Sequence, residues 1–286
     1  MTLRKKLAAQ QFVVTAELTP PKGTDIKPTL EKLEHLKDAD AINITDNNRS
    51  IVNMSGLAFS ALLVSRGKEP VYQITARDRN RMAIQSDLMG AHALGIHNIL
   101  ALHGDDPSKG DNPQSKAVFD LDTLAILSAV SALNEGSDLA GNKLNAPTDL
   151  FPGAACDPNK KIEEELARMQ AKRNAGARFF QTQIFYEADK FSKFAAETSS
   201  LEVPILAGIT PLKSEKMANF LNEKVKGVHV PKELIQEIKE SANPEETGIE
   251  QAARLIKDIK DDCAGIHVMT IGGEKNLPKL LKLAKI

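Results

Sequence analysis

The feature of this sequence that most constrains its fold is an alternation, repeated eight times, of a short β-branched run and a longer helical pattern. Such an alternation is typical of βα units, which build a parallel sheet. Eight units predict a (β/α)8 barrel, which takes about 250 residues, and the chain has 286. We therefore predict a single barrel domain over residues 1–286. The predicted strands are 11–18, 41–45, 70–75, 98–102, 149–155, 179–185, 204–209 and 265–270.

The helical patterns complete this prediction and allow one alternative fold. They lie near residues 26–36, 57–66, 81–94, 121–133, 160–174, 188–198, 214–222, 231–241, 249–262 and 277–283. The alternative is a doubly wound open sheet, which usually has about five to seven strands and, for a dinucleotide, a glycine fingerprint after the first strand. The sequence after Leu18 is TPPKGTD, which lacks that fingerprint. The number of strands and the absence of the fingerprint both favour the barrel.

Composition excludes several classes of function. The 37 basic and 38 acidic residues leave a net charge of −1, so there is no positive field to hold nucleic acid. Two cysteines cannot form a disulfide framework and suit a reducing compartment. No run reaches the length of a membrane span, and the amino terminus has no apolar signal-peptide region. We expect a soluble, cytoplasmic protein without a membrane span.

Polar residues at the predicted strand ends are the candidates for chemistry, because barrels place active sites at the carboxyl ends of their strands. A single polar residue there is ordinary, since strand ends are wet. Glu17 and Gln183 are more informative, because both stand inside strand-like runs (VVTAELTPP and FFQTQIFYE). A carboxyl group pointing into a barrel mouth has a raised pKa unless it is paired. A raised pKa is what a general acid needs near neutral pH.

Other polar groups carry less chemistry. Asp105 and Asp106 lack companions at a metal-ligand spacing, and a solvated turn explains them. The histidines at 92, 97 and 103 form no convincing metal site, so we expect no metal. Cys156 has no adjacent general base to make it a nucleophile. The lysines on the helix at 160–174 indicate a solvent-exposed helix face. The alternative is that one of them, near the barrel rim, binds a phosphate.

Seven segments together resemble a known family. VTAELTPPKG, INITDN, ITARDRN, ILALHGD, GAACDPN, NAGARFFQTQIFYE and ILAGITPL occur in this order between about residues 10 and 272. In combination they resemble the catalytic barrel of methylenetetrahydrofolate reductase, and ITARDRN followed by QSDLMGAHALG is closer to its shorter bacterial branch. The sequence given shows no regulatory carboxyl-terminal domain like that of eukaryotic relatives, so we expect no inhibition through one.

The resemblance implies a flavoprotein of one-carbon metabolism and methionine biosynthesis. The family reduces 5,10-methylenetetrahydrofolate to 5-methyltetrahydrofolate, with hydride from a reduced flavin, usually FAD, at the barrel mouth. A pyridine nucleotide, NADH or NADPH, or a redox partner protein re-reduces the flavin. We expect a folate substrate, and also a homo-oligomer, although the sequence ranks no outer surface for assembly.

Matching positions carry the family's functional residues to this chain. The resemblance implies Glu17 as the acid that opens the methylene bridge and Asp105 as the carboxylate that stabilises the cationic iminium and contacts the flavin. It implies Gln183 as the pterin anchor, with Phe220 standing near the position of a folate-stacking aromatic. The remaining flavin-contacting positions are Thr45, Gln73, His103, Gly104, Asp157 and Lys172.

Departures from the family pattern leave alternatives open. His103 stands where Arg or Thr is usual, and Gln73 lies near a position where His is common. The flavin segment is shortened to AACDPN, which places Asp157 where His is common. FMN or loss of the flavin therefore remain alternatives to FAD. Two other functions also remain: a pterin-binding barrel that transfers a methyl group to a corrinoid protein, and a partner-dependent subunit of a larger redox complex.

Overall fold

Eight parallel strands close into a barrel in the computed structural model, which describes residues 1–225 and 227–286. Each strand pairs with its neighbours in sequence, and β8 returns to pair with β1. The predicted (β/α)8 barrel is confirmed. The strands are β1 Val13–Leu18, β2 Ala41–Ile44, β3 Pro70–Thr75, β4 Asn98–Leu102, β5 Phe151–Cys156, β6 Phe179–Thr182, β7 Ile205–Ile209 and β8 Gly265–Val268.

Most of the helices surround the barrel and bury one face against the outward side chains of the strands. Several begin where the prediction placed them, because a side chain caps the first free amides. Asn80 and Asp122 accept hydrogen bonds from the amides of Ala83 and Ala125. The helices are α1 Leu3–Ala8, α2 Lys27–Glu31, α3 Gly56–Val64, α4 Arg81–Ala93, α5 Thr123–Asn134, α6 Ile162–Asn174, α7 Ala188–Thr198, α8 Glu215–Lys224, α9 Lys232–Glu240, α10 Pro244–Ile259 and α11 Leu277–Ala284.

Most element ends lie within about two residues of the prediction, and three predicted elements differ more than that. The helix at 26–36 is split into α2 and a 3-10 turn over Lys32–Leu36. The helix expected at 249–262 starts earlier, at Pro244, because Asn243 caps it and proline suits the first helical turn. Strand β6 ends at Thr182 rather than at residue 185, because the Thr182 hydroxyl bonds the Gln183 carbonyl and the amide of Gly208 on β7.

An amino-terminal helix that the sequence reading missed closes the bottom of the barrel. Leu3 and Leu7 of α1 are one helical turn apart and are both buried. They join an apolar layer of inward side chains from the starts of the strands: Val13, Ala41, Val71, Leu100, Phe179 and Leu206. The lower barrel is thus sealed from water, and the opposite end, at the carboxyl ends of the strands, is left for function.

A polar layer lies above this apolar floor. Gln181 and Asn43 exchange two side-chain hydrogen bonds, of 2.7 and 3.2 Å. Gln181 also donates to the Thr15 hydroxyl at 3.4 Å, and that hydroxyl lies 2.9 Å from Nδ1 of His267. All four side chains are buried. Because buried polar groups need partners, this satisfied network fixes the strands beneath the barrel mouth.

Two further findings bear on function. Within residues 1–225 and 227–286, no helix is long and apolar enough to cross a membrane. Over the same residues, no group of three or more His, Cys, Asp or Glu side chains is arranged to hold a metal ion.

Candidate active site at the barrel mouth

Glu17 lies on β1, two residues beyond Thr15, and so points to the same inner face of the barrel. It is half-buried, and Oε2 accepts one hydrogen bond, of 3.5 Å, from Nε2 of Gln73 on β3. Burial raises the pKa of Glu17 from 4.5 to about 7, and the bond from Gln73 opposes the rise. Glu17 is therefore poised to hold or release a proton near neutral pH.

The neighbouring His267 does not titrate in this range. Burial lowers its pKa to about 4, so its imidazole is neutral at physiological pH. Its contact with Thr15 joins it to the polar layer beneath Glu17. We assign it a structural role, because its ring is committed to that layer.

Hydrogen bonds join the segments that follow β2 and β3. Asp46 is buried and accepts hydrogen bonds from the Thr75 amide and hydroxyl at 3.0 and 2.8 Å. Two more come from the guanidinium of Arg79 at 2.7 and 3.1 Å, and Arg79 also binds Asp87 on α4. The adjacent Thr45 has a buried hydroxyl with no hydrogen-bond partner among the described residues.

The loop after β4 presents His103, Gly104 and Asp105. The Asp105 side chain is exposed. Gly104 has φ +93°, and a Cβ there would lie 2.8 Å from Cβ of Arg77, so only glycine fits. The His103 ring stacks on Phe119, with centroids 4.5 Å apart and planes 13° from parallel. Phe119 is an aromatic that the sequence analysis missed; its signal was an isolated aromatic in an otherwise polar loop.

The segment after β5 is organised by a buried carboxylate that the sequence analysis also missed. Oε1 of Glu165 on α6 accepts a 3.0 Å hydrogen bond from the amide of Asp157. Asp157 in turn accepts from the Asn159 amide and side chain, both at 3.0 Å. Lys172 donates to the Ala155 carbonyl at 2.7 Å, and burial lowers its pKa.

Gln183 and Phe220 lie on separate elements, the segment after β6 and helix α8. Gln183 follows β6 directly, and its Oε1 accepts a hydrogen bond from the Ile184 amide at 3.0 Å, which leaves its NH2 group for other partners. Phe220 lies on α8 and is 47% exposed. An exposed aromatic is suited to stack on a flat ligand.

Cys156 is not a nucleophile in this structure. It is buried at the end of β5, and burial raises the pKa of its thiol well above the ordinary value. The thiolate that nucleophilic attack needs is therefore disfavoured.

The position of the cavities does not by itself identify the active site. A cavity of about 530 Å³ lies at the amino-terminal end of the barrel, where Arg4, Asp149 and Arg178 are among its lining residues. Barrel enzymes place their active sites at the other end. We therefore assign the site by the carboxyl ends of the strands and by the half-buried Glu17 carboxyl group on the inner face of β1.

Comparison with known proteins decides the family. The family model described as methylenetetrahydrofolate reductase matches residues 2–285. The chain belongs to the methylenetetrahydrofolate reductase family. The family expected from the seven segments is confirmed, and with it a reductase lineage for the barrel.

Curated relatives agree with this placement. A probable methylenetetrahydrofolate reductase (NADPH) of Caenorhabditis elegans is 24% identical over 96% of this chain and 42% of its own length. Methylenetetrahydrofolate reductase 2 of Schizosaccharomyces pombe is 27% identical over 73% of the chain and 34% of its own length. A bacterial relative from Pectobacterium carotovorum is 25% identical over 74% of the chain and 70% of its own length. The chain thus spans less than half the length of the eukaryotic relatives it matches here.

Solved structures support the barrel fold alone. An oxaloacetate acetylhydrolase superposes with a TM-score of 0.54 at 12% identity and covers 99% of this chain and 84% of its own. A 2,3-dimethylmalate lyase gives 0.53 at 12% identity, over 99% of this chain and 86% of its own. At this identity the shared feature is the architecture.

The residues fit a flavin unevenly. Around β2 to β4, two features suit a planar ring with polar edges: the stacked His103–Phe119 pair, and the Thr45 hydroxyl, which has no hydrogen-bond partner in the part of the chain that the structure describes. After β5, Asp157 is an acidic side chain bound to Asn159 and 4.0 Å from Lys160. A carboxylate repels a diphosphate. The ring end of a flavin fits this site, whereas Asp157 does not fit as a diphosphate ligand.

Proposed function

We propose that this family member reduces 5,10-methylenetetrahydrofolate to 5-methyltetrahydrofolate in one-carbon metabolism. The observation that carries the proposal is Glu17: a half-buried carboxyl group at the barrel mouth whose pKa is raised by burial to about 7. An acid of this kind is what opening the methylene bridge of the substrate requires. The family match supplies the reaction to which that acid belongs.

Glu17 acts on the methylene bridge. Its carboxyl group gives a proton to a nitrogen of the bridge, the bond between that nitrogen and the methylene carbon breaks, and a cationic iminium remains on the other nitrogen. The exposed Asp105 carboxylate stabilises that cation. Gln183 offers its free NH2 group to the pterin edge, and Phe220 offers its ring to the pterin face.

The cofactor is a flavin, which when bound and reduced supplies the hydride that the iminium carbon accepts. We assign its ring to Thr45, Gln73, His103, Gly104 and Asp105, with Lys172 and Asp157 at the β5 side. FAD is the family's usual form. The acidic Asp157 leaves FMN as the alternative, because an FMN ligand lacks the diphosphate.

The electron donor, assembly and location are proposed on coarser grounds. NADH, NADPH or a redox-partner protein re-reduces the flavin. The chain works as a single barrel domain in a homo-oligomer. We place it in the cytoplasm, since both cysteines are free thiols, which suits a reducing compartment.

A second candidate function rests on Asp157. If the altered β5 segment prevents tight flavin binding, the chain would work as a subunit of a larger folate-reducing complex and obtain electrons through its partner. Copurification of a redox protein, with no oxidation of pyridine nucleotide by the isolated chain, would favour this candidate. Strict dependence on a corrinoid protein would instead favour a methyltransferase barrel.

The test is the visible spectrum of the purified protein, alone and after incubation with FAD or FMN. We expect an oxidised-flavin spectrum that bleaches when 5-methyltetrahydrofolate is added without oxygen, because the folate half-reaction runs in reverse. Glu17→Gln should bind flavin equally well and bleach far more slowly. A chain that binds flavin but never exchanges electrons with either folate contradicts the proposed function.

A further inference from the structure

Three loops of the barrel mouth meet on one buried arginine. Arg77, in the loop after β3, is 2% exposed. Its guanidinium donates to both carboxylate oxygens of Asp78 at 2.7 Å and to the Asn47 carbonyl at 3.2 Å. Its own carbonyl accepts a 2.8 Å hydrogen bond from the Val118 amide. Arg77 therefore ties the loops after β2, β3 and β4 together.

Ser50 carries this connection to the candidate catalytic loop. Nη1 of Arg77 donates to Oγ of Ser50 at 3.1 Å. The same hydroxyl lies 3.2 Å from the carbonyl oxygens of both Asp105 and Asp106, and it donates its hydrogen there. A charged donor orients the hydroxyl, so its hydrogen is aimed at the Asp105–Asp106 backbone rather than free to rotate.

The backbone around Ser50 adopts strained φ angles, which are often found at functional sites. Asn47, Arg49 and Ser50 have φ of +46°, +56° and +57°. Residues other than glycine rarely adopt this region, and they keep it only where the surrounding structure enforces it. The hydrogen bonds to Arg77 are part of those surroundings. Clustered strain of this kind is typical of sites where geometry must be held.

The Asp105 loop is fixed through its backbone while its carboxylate stays exposed. Gly104 packs so closely on Arg77 that no Cβ fits, and a Cβ on Gly110 would overlap the Ser50 carbonyl. The carboxylate of Asp105 is also one of several, led by the hydrogen-bonded Asp78, that raise the pKa of Arg77. The loop backbone is thus held by Ser50 and Arg77, while the Asp105 side chain remains exposed.

We propose that Ser50, oriented by the buried Arg77, is a positioning residue that sets where the Asp105 carboxylate lies in the barrel mouth. The inference rests on the proposed function for its kinetic test, and on the loop geometry alone for its structural test. Neither residue touches the substrate. They act through the Asp105 backbone, because a misplacement of about 1 Å at a reacting group can cost about 100-fold in rate.

The kinetic test is a double-mutant cycle of Ser50→Ala and Asp105→Asn. Ser50→Ala alone should lower kcat for methylenetetrahydrofolate reduction about tenfold, with little change in KM. In the Asp105→Asn background the same change should have almost no effect on kcat, because the carboxylate it positions is gone. An equal loss of kcat in both backgrounds would overturn the proposal.

The structural test is amide hydrogen exchange over residues 104–112. Loss of the Ser50 hydroxyl should speed exchange there about fivefold for each hydrogen bond lost. Ser131→Ala is the matched control, since it removes a hydroxyl that donates to the Ala175 carbonyl on the outer helices. It should leave exchange over 104–112 and kcat unchanged. Unchanged exchange over 104–112 in Ser50→Ala would also overturn the proposal.

A third variant separates positioning from stability. Ser50→Gly also removes the hydroxyl, but glycine suits the positive φ at this position, so this variant should be more stable than Ser50→Ala. It takes the place of Ser50→Ala in both tests if the alanine variant does not fold. If activity follows the hydroxyl, both variants lose kcat alike; if it follows stability alone, Ser50→Gly recovers and the proposal fails. Should the wild-type chain not reduce the folate at all, the proposed function fails, and hydrogen exchange still decides the role of Ser50.

Discussion

Replacing Glu17 by Gln should make the protein more stable at high pH, although it removes the proposed acid. The pKa of Glu17 is 4.5 in its ordinary state and about 7 in the fold, through burial. Below pH 4.5 both states hold the proton, and Glu17 costs nothing. As the pH rises from 4.5 to 7, the unfolded chain ionises while the fold keeps its proton, so stability falls. Above pH 7 the cost is constant.

The magnitude follows from the difference between the two pKa values. At 1.36 kcal/mol per pKa unit, the full cost is about 3 kcal/mol. Glu17 is half-buried rather than wholly buried, so solvent screening reduces our expectation to about 2 kcal/mol. Glutamine has the same shape and no charge to desolvate. The advantage of the Gln variant should therefore be small at pH 5 and close to its full value at pH 8.

Urea denaturation at pH 5, 6, 7 and 8 measures this difference for the wild-type chain and the variant. Comparison at each pH cancels the other titrating groups. Glu250→Gln is the control, because it removes an exposed carboxylate from the middle of α10, away from the carboxyl ends of the strands. A stability difference for Glu17→Gln that is the same at pH 5 and pH 8 would refute the reasoning.

Three further predictions follow from the packing and the charges. Gly110→Ala should destabilise the protein by about 1–3 kcal/mol, because the new Cβ overlaps the Ser50 carbonyl. Its control is Gly90→Ala in α4, where the new Cβ meets no atom within 4 Å and should raise the free energy of unfolding by about 1 kcal/mol. If thermal unfolding shows Gly110→Ala to be the more stable variant, the packing argument is wrong. Arg79→Gln should cost about 3–5 kcal/mol by leaving the buried Asp46 carboxylate without its cation, and an unfolding free energy within about 0.5 kcal/mol of wild type would show that this pair is not desolvated. Neither cysteine should react with iodoacetamide at pH 8 in the native state, because burial raises the pKa of Cys156 well above its ordinary value and that of Cys263 to about 12; rapid labelling of Cys156 would mean that the β5 end opens to solvent.

The sequence predicted the architecture well where the pattern is local. Strands β3 and β4 have the predicted bounds, because each is a continuous apolar run with a sharp start. The three helices between β7 and β8 were also expected. Strand ends were less accurate, since they depend on hydrogen bonds such as that from the Gly208 amide to the Thr182 hydroxyl oxygen, which no local pattern encodes.

The missed parts of the site are those that depend on tertiary placement. Arg77 and Arg79 lie in the polar string ARDRN, where arginines are normally solvated. Only the tertiary structure shows that Arg77 is buried and that Arg79 pairs with the buried Asp46. Glu165 looked like one acid among three at the start of α6, yet it alone turns inward to the Asp157 amide. Helix α1 carried a signal, the Leu3–Leu7 spacing, that the basic residues between them obscured.

The central claim, that Glu17 is the acid of a folate-reducing barrel, is tested most directly by the pH dependence of kcat/KM for methylenetetrahydrofolate. For the wild-type chain we expect a rate that falls about tenfold per pH unit above a pKa near 7, as the carboxyl group loses its proton. Glu17→Gln should be slower by about 100-fold or more at pH 6 and should not show that decline. A wild-type rate that stays constant from pH 6 to pH 9, or a Gln variant with undiminished turnover, would contradict it.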